Sequence, residues 1–213
     1  HLDSFSEDEV SQILERSRDA GVAFVISAGT TVESSCQSVL LSYRFPNLFT
    51  GVGVHPMEAR DPVDEATYGV LRRLALSTEK VLVISEIGLD FMKGAPDLAV
   101  QYQAFREQIR LARELALPIV FHSREAHKEV FRLLREERAY EVGGAMHYFQ
   151  ADMHTAREAM DLGFYISLAR PLLRLPDLQR VAADLPLEKI VLETDAAPQP
   201  FKSKRENWTE PRH

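Results

Sequence analysis

The stretch VLVISEIGLD, residues 81–90, combines an uninterrupted apolar run with two carboxylates and a glycine. The run Val81–Ile87 has the continuous apolar pattern of a strand that is buried on both faces of a parallel sheet. Glu86 falls at the end of this run, where a buried carboxylate without a partner would be costly. The stretch therefore predicts a parallel α/β fold, and it requires a cation beside Glu86, either a metal ion or a basic side chain.

Further apolar runs of the same kind lie on both sides of this strand, with helical patterns around and between them. The other predicted strands are Ala23–Ala28, Leu48–Val54, Pro118–Phe121, Val142–Met146, Phe164–Leu168 and Lys189–Leu192. The predicted helices cover residues 7–20, 33–43, 63–78, 98–116, 125–137, 152–162 and 176–184. Strands that alternate with helices in this way form either an open doubly wound sheet or a closed (β/α)8 TIM barrel.

The positions of the polar residues favour the barrel. One such residue stands at the carboxyl end of each of five predicted strands: His55, Glu86, His122, His147 and Asp195. In a barrel these ends converge on one mouth, whereas in an open sheet most of them would lie too far apart to share a metal ion.

The seven predicted strands are one fewer than a complete barrel has. We therefore expect a first strand before His1 and a last helix beyond His213. On this interpretation residues 1–213 form a single TIM-barrel catalytic domain that is truncated at both ends.

Composition excludes several other classes of protein. The chain has 25 Lys and Arg residues against 32 Asp and Glu, a formal charge of −7, which argues against a protein that coats nucleic acid through basic residues. The single cysteine, Cys36, excludes a disulfide framework and a cysteine-based zinc site. The longest apolar run, Leu115–Phe121, is too short to span a membrane. We expect a cytoplasmic protein with no membrane association and no obligate protein partner.

The polar residues at the strand ends form a plausible ligand set for hydrolysis. Imidazoles together with carboxylates suit Zn, Mn, Fe or Mg. Two cations about 3.5–4 Å apart can ionise a water and stabilise both the attacking and the leaving oxygen of a phosphate ester. Such a pair needs a bridging carboxylate, and Glu86 is the candidate.

Other residues near the predicted mouth can bind substrate or support the ligands. Arg124 faces the same side as His122 on an extended segment and can bind a phosphate or pair with a nearby carboxylate. For His127 we expect a capping role or a contact with a ligand, and Glu193 points the same way as Asp195 and can support the metal ligands.

A basic stretch, Lys202–Arg205, follows closely after Asp195. It is either a solvated loop or an attractor for a polyanion beside the mouth. In the second case Phe201 and Trp208 can stack on bases.

SEIGLD (residues 85–90) closely resembles the GEIGLD signature of the TatD family of metal-dependent deoxyribonucleases. Other segments resemble that family in the same order: GVHP (53–56), QYQAFREQIRLARELALP (101–118), HSREAH (122–127), GGAMHYF (143–149), LGFYIS (162–167) and LETD (192–195). The resemblance covers nearly the whole chain. It implies a (β/α)8 barrel of the amidohydrolase type with a two-metal site.

The resemblance also implies a role for each ligand. Glu86 would bridge both metals, His122 and His147 would bind one of them, and Asp195 would bind the other and orient or deprotonate the attacking water. His1, in the sequence His1-Leu2-Asp3, matches the second half of the family's H-x-H pair and would also bind metal.

His55 is not a ligand in this scheme; it would line the substrate groove or contact the scissile phosphate, or it would have only a structural role. The sequence departs from the family in two places. The partner histidine two positions before His1 is not part of this sequence, and Asp195 is followed by Ala-Ala-Pro.

The expected function is therefore metal-dependent hydrolysis of DNA phosphodiesters, with two divalent ions (Mg, Mn or Zn) as cofactors. Single-stranded or frayed DNA ends are the substrate that the resemblance implies. Two alternatives stay open from the sequence. The same site can hydrolyse a C–N or ester bond, as in amidohydrolase relatives, or the barrel can bind metal without catalysis.

Overall fold

The computed structural model describes all residues, 1–213, and contains one sheet of seven parallel strands. The strands are β1 Val25–Ala28, β2 Leu48–Val52, β3 Val81–Asp90, β4 Ile119–Arg124, β5 Gly144–Met146, β6 Phe164–Leu168 and β7 Ile190–Leu192. They pair in sequence order, and β1 and β7 are the two edges. This order, with helices between the strands, is that of a (β/α)8 barrel, so the predicted fold class is confirmed.

Seven helices cover the outside of the curled sheet. They are α1 Glu7–Asp19, α2 Val32–Arg44, α3 Glu65–Leu76, α4 Leu98–Leu115, α5 His127–Glu136, α6 Met153–Asp161 and α7 Pro176–Asp184. Polar side chains fix several of their starts: Ser6 and Glu9 form a capping box on α1, and the Asp97 carboxylate accepts hydrogen bonds from the first turn of α4. None of the helices combines the length and the apolarity that crossing a membrane requires.

β4 ends three residues beyond its predicted end, at Arg124, and β3 also continues three residues further, to Asp90. Glu86 therefore lies within the strand and not at its end. The pairing register between β3 and β4 shifts between Ile84 and Ile87, so a bulge surrounds Glu86. Bulges of this kind redirect a side chain next to a functional site.

The close approach of β3 to β4 depends on Gly88. This residue has φ +142°, and a Cβ placed on it would lie 2.0 Å from the backbone oxygen of His122. Only glycine tolerates both the conformation and the contact. The GLD sequence thus brings Asp90 and His122 to neighbouring positions on adjacent strands.

The hydrophobic core lies between the sheet and the helices. It is one cluster of 33 buried residues, in which Phe105 of α4, Phe121 of β4 and Phe164 of β6 are fully buried. A second cluster of six buried residues packs α1 against the start of β2. Burial of this apolar surface is the main favourable contribution to folding, and it fixes the relative positions of the strand ends.

Two buried glutamines of α4 hold the backbone beside the mouth. The Gln108 side chain accepts a hydrogen bond from Val54 N (2.6 Å) and donates one to Val54 O (3.1 Å). Gln101 does the same at Asp90, with distances of 2.9 and 3.1 Å. Each amide thus pairs with both backbone groups of one residue, next to His55 in one case and at the end of β3 in the other.

The segment that follows β7 is fastened to α1 by a buried carboxylate. Glu210 is 3% exposed, and it pairs with Arg16 (2.7 Å), Arg205 (3.2 Å) and Arg212 (3.1 Å). Arg205 also stacks over the Trp208 ring, 4.6 Å from its centroid. These contacts hold residues 205–212 against α1.

We expect Gln108→Leu to lower the free energy of unfolding by about 2 kcal/mol, because the Val54 N–H and C=O lose their partners. For a chain of this size that corresponds to a Tm about 4–8 °C lower, measured by thermal denaturation. Gln12→Leu on the exposed face of α1 is the control and should leave Tm nearly unchanged. Equal Tm values for wild type and Gln108→Leu would contradict the role of this clamp.

Candidate metal centre

All the site residues predicted from the sequence line one cavity of about 760 Å³ at the carboxyl ends of the strands. They are His1, His55, Glu86, His122, Arg124, His147 and Asp195. The convergence follows from the topology, because each strand of a parallel barrel points its carboxyl end to the same side.

Glu86 occupies the centre of this group and is 3% exposed. Its Oε1 lies 3.4 Å from His122 Nδ1, 3.4 Å from His147 Nε2 and 3.5 Å from His55 Nε2. Its other oxygen, Oε2, lies 3.9 Å from His1 Nε2, and His1 Nε2 in turn lies 3.4 Å from Asp195 Oδ1. The two carboxylate oxygens therefore face two different groups of side chains.

These separations suit atoms that share an ion. Two ligand atoms that are each about 2.1 Å from one ion lie roughly 3–3.5 Å apart, which is longer than a normal hydrogen bond. Glu86 Oε1 lies at this separation from the His122 and His147 nitrogens, and His1 Nε2 lies at it from Asp195 Oδ1, whereas the distance of 3.9 Å from His1 Nε2 to Glu86 Oε2 is longer. His55, Glu86 and His122 offer ligand atoms that all lie within 4.8 Å of one another.

Hydrogen bonds on the far side of each ring decide which nitrogen carries a lone pair. His122 Nε2 donates to Asp90 Oδ2 (2.8 Å), and His147 Nδ1 donates to Glu193 Oε2 (2.6 Å). His1 Nδ1 donates to a backbone carbonyl, at 3.2 Å. In all three rings the nitrogen that faces the cluster is left free to bind a metal, the arrangement common around ligand histidines.

His55 has the opposite arrangement. Its Nδ1 accepts a hydrogen bond from Met57 N (3.1 Å), so the ring proton is assigned to Nε2, the nitrogen that faces Glu86. His55 therefore presents an N–H donor to the cavity, although its ring lies only 4.7 Å from that of His122. Distance alone would have grouped His55 with the ligands, and its hydrogen bond separates it from them.

The electrostatics of the cluster are those of a cation site. Burial raises the pKa of Glu86, but the charge of His147 and the nearby rings of His122 and His55 outweigh burial and hold it well below its usual range. Burial lowers the pKa of His147, yet the charges of Glu86 and Glu193 raise it to about 10. The carboxylates thus stay ionised, and positive charge is favoured beside them.

His1 and Asp195 form a similar pair on the other side of Glu86. Burial lowers the pKa of His1, and the nearby carboxylates of Asp195 and Glu86 raise it to about 9. The His1 ring in turn lowers the pKa of Asp195. The Asp195 side chain is 47% exposed, so it is the carboxylate of the cluster that solvent reaches most easily.

Asp90 is a candidate site residue that the sequence pattern does not single out. It is fully buried and joins three groups: His122 Nε2, Arg124 Nε (3.3 Å) and Met92 N (2.9 Å). The signal that could have found it is its position four residues after Glu86 in the same strand. Arg124 is half exposed and keeps its terminal nitrogens beside the cavity.

Three further expectations meet different outcomes. Glu193 supports His147, as its spacing from Asp195 predicts. The capping role for His127 is wrong, because Ala126 precedes α5 without a side-chain cap and the His127 ring bonds to Ser123 Oγ (2.6 Å).

Base stacking by Trp208 is wrong as well. Its ring packs against Phe5 (centroids 6.0 Å apart) and lies under Arg205, whereas Phe201 is 81% exposed.

Imidazoles and carboxylates at the mouth of a parallel barrel define a metal-dependent hydrolase. The family model described as TatD related DNase matches residues 1–211, so the chain belongs to the TatD family. The uncharacterized metal-dependent hydrolase YabD of Bacillus subtilis strain 168 is 31% identical over 211 residues, which cover 96% of this chain and 82% of that protein.

Two further relatives agree with this assignment. The Cronobacter sakazakii protein named 3'-5' ssDNA/RNA exonuclease TatD is 35% identical over 205 residues, covering 91% of this chain and 77% of that protein. The crystal structure of YJJV, a TatD homolog from Escherichia coli K12, matches with a TM-score of 0.87 at 27% identity. It covers 100% of this chain and 83% of the YJJV chain.

We expect Asp90→Asn to weaken binding of Mn²⁺ by about 10–100-fold, because a neutral amide accepts the His122 N–H more weakly than a carboxylate and can turn its NH2 group toward the ring instead. Calorimetric titration of the metal-free protein measures the affinity. Asp61→Asn, at an exposed position, is the control. An Asp90→Asn affinity equal to that of wild type would show that Asp90 does not position His122.

Proposed function

We propose that the protein is a deoxyribonuclease that hydrolyses phosphodiester bonds from single-stranded or frayed DNA ends with two divalent ions. Mg, Mn and Zn all suit its mixture of imidazoles and carboxylates. The observation that carries the proposal is Glu86, a buried carboxylate whose two oxygens face two separate groups of ligand atoms.

The two proposed ion sites follow from these groups. His122 Nδ1 and His147 Nε2 would hold one ion together with Glu86 Oε1, and His1 Nε2 and Asp195 Oδ1 would hold the other together with Glu86 Oε2. Divalent ions in such a pair make water more acidic and offset the negative charge of a phosphate.

The side chains of this chain would carry out the rest of the reaction. Asp195, the most exposed carboxylate of the cluster, would orient the attacking water and accept its proton. The water oxygen would bond to phosphorus in line with the leaving oxygen, whose bond then breaks. The N–H of His55 Nε2 and the guanidinium of Arg124 would donate to phosphate oxygens as negative charge develops.

Nucleic acid is the substrate class that the relatives favour. The name of the Cronobacter sakazakii relative describes it as a 3'-5' exonuclease of single-stranded DNA and RNA. The formal charge of −7 fits an enzyme that binds phosphate locally, through ions and a few basic side chains, and not by an overall positive surface.

We expect Glu86→Gln to reduce cleavage of a labelled single-stranded DNA oligonucleotide by on the order of 10³-fold or more, because the amide cannot bridge two ions. Glu58→Gln is the matched control, since Glu58 lines the same cavity outside the cluster. The circular dichroism spectrum of each variant checks that it is folded. Normal cleavage by folded Glu86→Gln would refute the mechanism. If wild-type protein hydrolyses carboxylic esters or amides but no phosphodiester, the result would refute the nuclease and support the amidohydrolase alternative.

The variant His55→Gln tests whether His55 is a hydrogen-bond donor to the phosphate or a metal ligand. We expect kcat/KM on the same oligonucleotide to fall by about 10²-fold with the metal content unchanged, because the flexible amide does not hold its N–H at the position of His55 Nε2 while the ion ligands remain. His122→Gln provides the comparison and should lose metal. Loss of metal from His55→Gln as well would mean that His55 is a ligand after all.

A further inference from the structure

A second cavity, of about 460 Å³, is lined entirely by polar and charged side chains. Its lining residues are Arg170, Lys202, Ser203, Glu206, Asn207 and His213. We call this cavity the basic groove. It contains no apolar side chain, so it does not suit a hydrophobic ligand, and its surface offers mainly hydrogen-bond donors and positive charge.

The basic groove opens on the same side of the barrel as the metal centre. Arg170 follows the carboxyl end of β6 by two residues, and Lys202 belongs to the segment that follows β7 and Asp195.

The cations at the groove are not neutralised by the protein. Arg170 and Lys202 have no carboxylate within 4.0 Å, whereas Glu206, the acidic residue of the lining, has Lys204 at 3.6 Å. Elsewhere most arginines are paired; on α4 and α5, for example, Arg106, Arg110 and Arg132 all contact glutamates. Unpaired cations lining one concave surface attract an anion.

The segment that follows β7, which forms one side of the basic groove, is held in place by several contacts. Glu210 fastens it to α1, Gln199 and Thr209 bond across it (3.0 Å), and Lys202 Nζ donates to Asn207 O (2.9 Å). A ligand in the basic groove would therefore meet a preformed surface, which lowers the cost of binding.

We propose that the basic groove binds backbone phosphates of the same nucleic-acid strand whose scissile phosphate lies at the metal centre. Arg170 presents a planar set of donors that matches phosphate oxygens, and Lys202 adds a point charge. Because the lining has no aromatic or apolar side chain on which a base could stack, the groove contacts the phosphate backbone of the nucleic acid and not its bases. This inference rests on the proposed function, and it adds to it a second contact region that favours longer strands.

The test is a double variant, Arg170→Gln/Lys202→Gln, assayed for binding of a fluorescent 12-nucleotide oligo(dT) in EDTA over a range of salt concentrations. We expect binding to weaken about tenfold near 0.1 M salt and the slope of log K against log salt to become shallower by roughly 1.4, for two lost phosphate contacts. In the presence of metal, the preference in kcat/KM for the 12-mer over a dinucleotide should shrink about tenfold.

Two controls make the result specific. Arg73→Gln/Arg157→Gln removes the same charge at exposed positions on α3 and α6 that have no ion pair, and it should bind like wild type. Arg170→Lys/Lys202→Arg keeps both charges and should retain affinity within about threefold, since the phosphate contacts are mainly electrostatic. Equal losses in the first control, or wild-type binding by the double glutamine variant, would overturn the proposal.

The binding assay also separates this inference from the proposed function. Wild type that binds the oligonucleotide through Arg170 and Lys202 but cleaves no nucleic acid would refute the nuclease and leave the phosphate groove standing. Wild type that cleaves the oligonucleotide in a Glu86-dependent manner, with no effect of the double variant, would refute the groove alone.

Discussion

A carboxylate at the bottom of a protein cavity must be compensated, and in this protein the compensation of Glu86 organises the whole mouth of the barrel. Its two oxygens face imidazoles delivered from β4, from the residue after β5, from the loop after β2 and from the first residue of the described chain. Without a cation the burial of Glu86 would oppose folding. The fold brings these groups together because the parallel strands all end on the same side.

Hydrogen bonds on the side away from Glu86 set the orientation of each histidine ring as well as its distance from Glu86. Asp90 and Glu193 accept the outer protons of His122 and His147, and so turn a lone pair toward Glu86. Met57 donates to His55 and turns a proton inward instead. One type of side chain thus presents both lone pairs and an N–H donor to the cavity, and the difference is set by single contacts on the far side of each ring.

The sequence predicts the architecture and the members of the cluster well, because apolar runs locate the strands and strand ends locate the chemistry. It places β3 correctly but ends it at Ile87, since the sequence gives no sign that a bulge around Glu86 lets the strand continue to Asp90. The reach of Gln101 and Gln108 from α4 to the strand ends is also invisible in the sequence, because it depends on how the helix packs on the sheet.

The same limit applies to the basic stretch after Asp195. The sequence gives no reason to distinguish its basic residues from one another. In the structure Arg205 forms ion pairs with Glu210 and Glu9, whereas Lys202 lines the basic groove together with Arg170. Trp208 is an aromatic residue in the right neighbourhood, but it is used for packing. Long-range pairing decides which of these side chains remain available for a substrate.

We propose that Glu86 joins two ion sites, and the number of ions bound per chain tests this proposal most directly. After equilibration with Mn²⁺ and removal of the excess, elemental analysis of wild type should give about two ions per chain. Asp195→Asn should give about one, because His122 and His147 still hold the first site. One ion per chain in both proteins, or none in wild type, would contradict the two-site account.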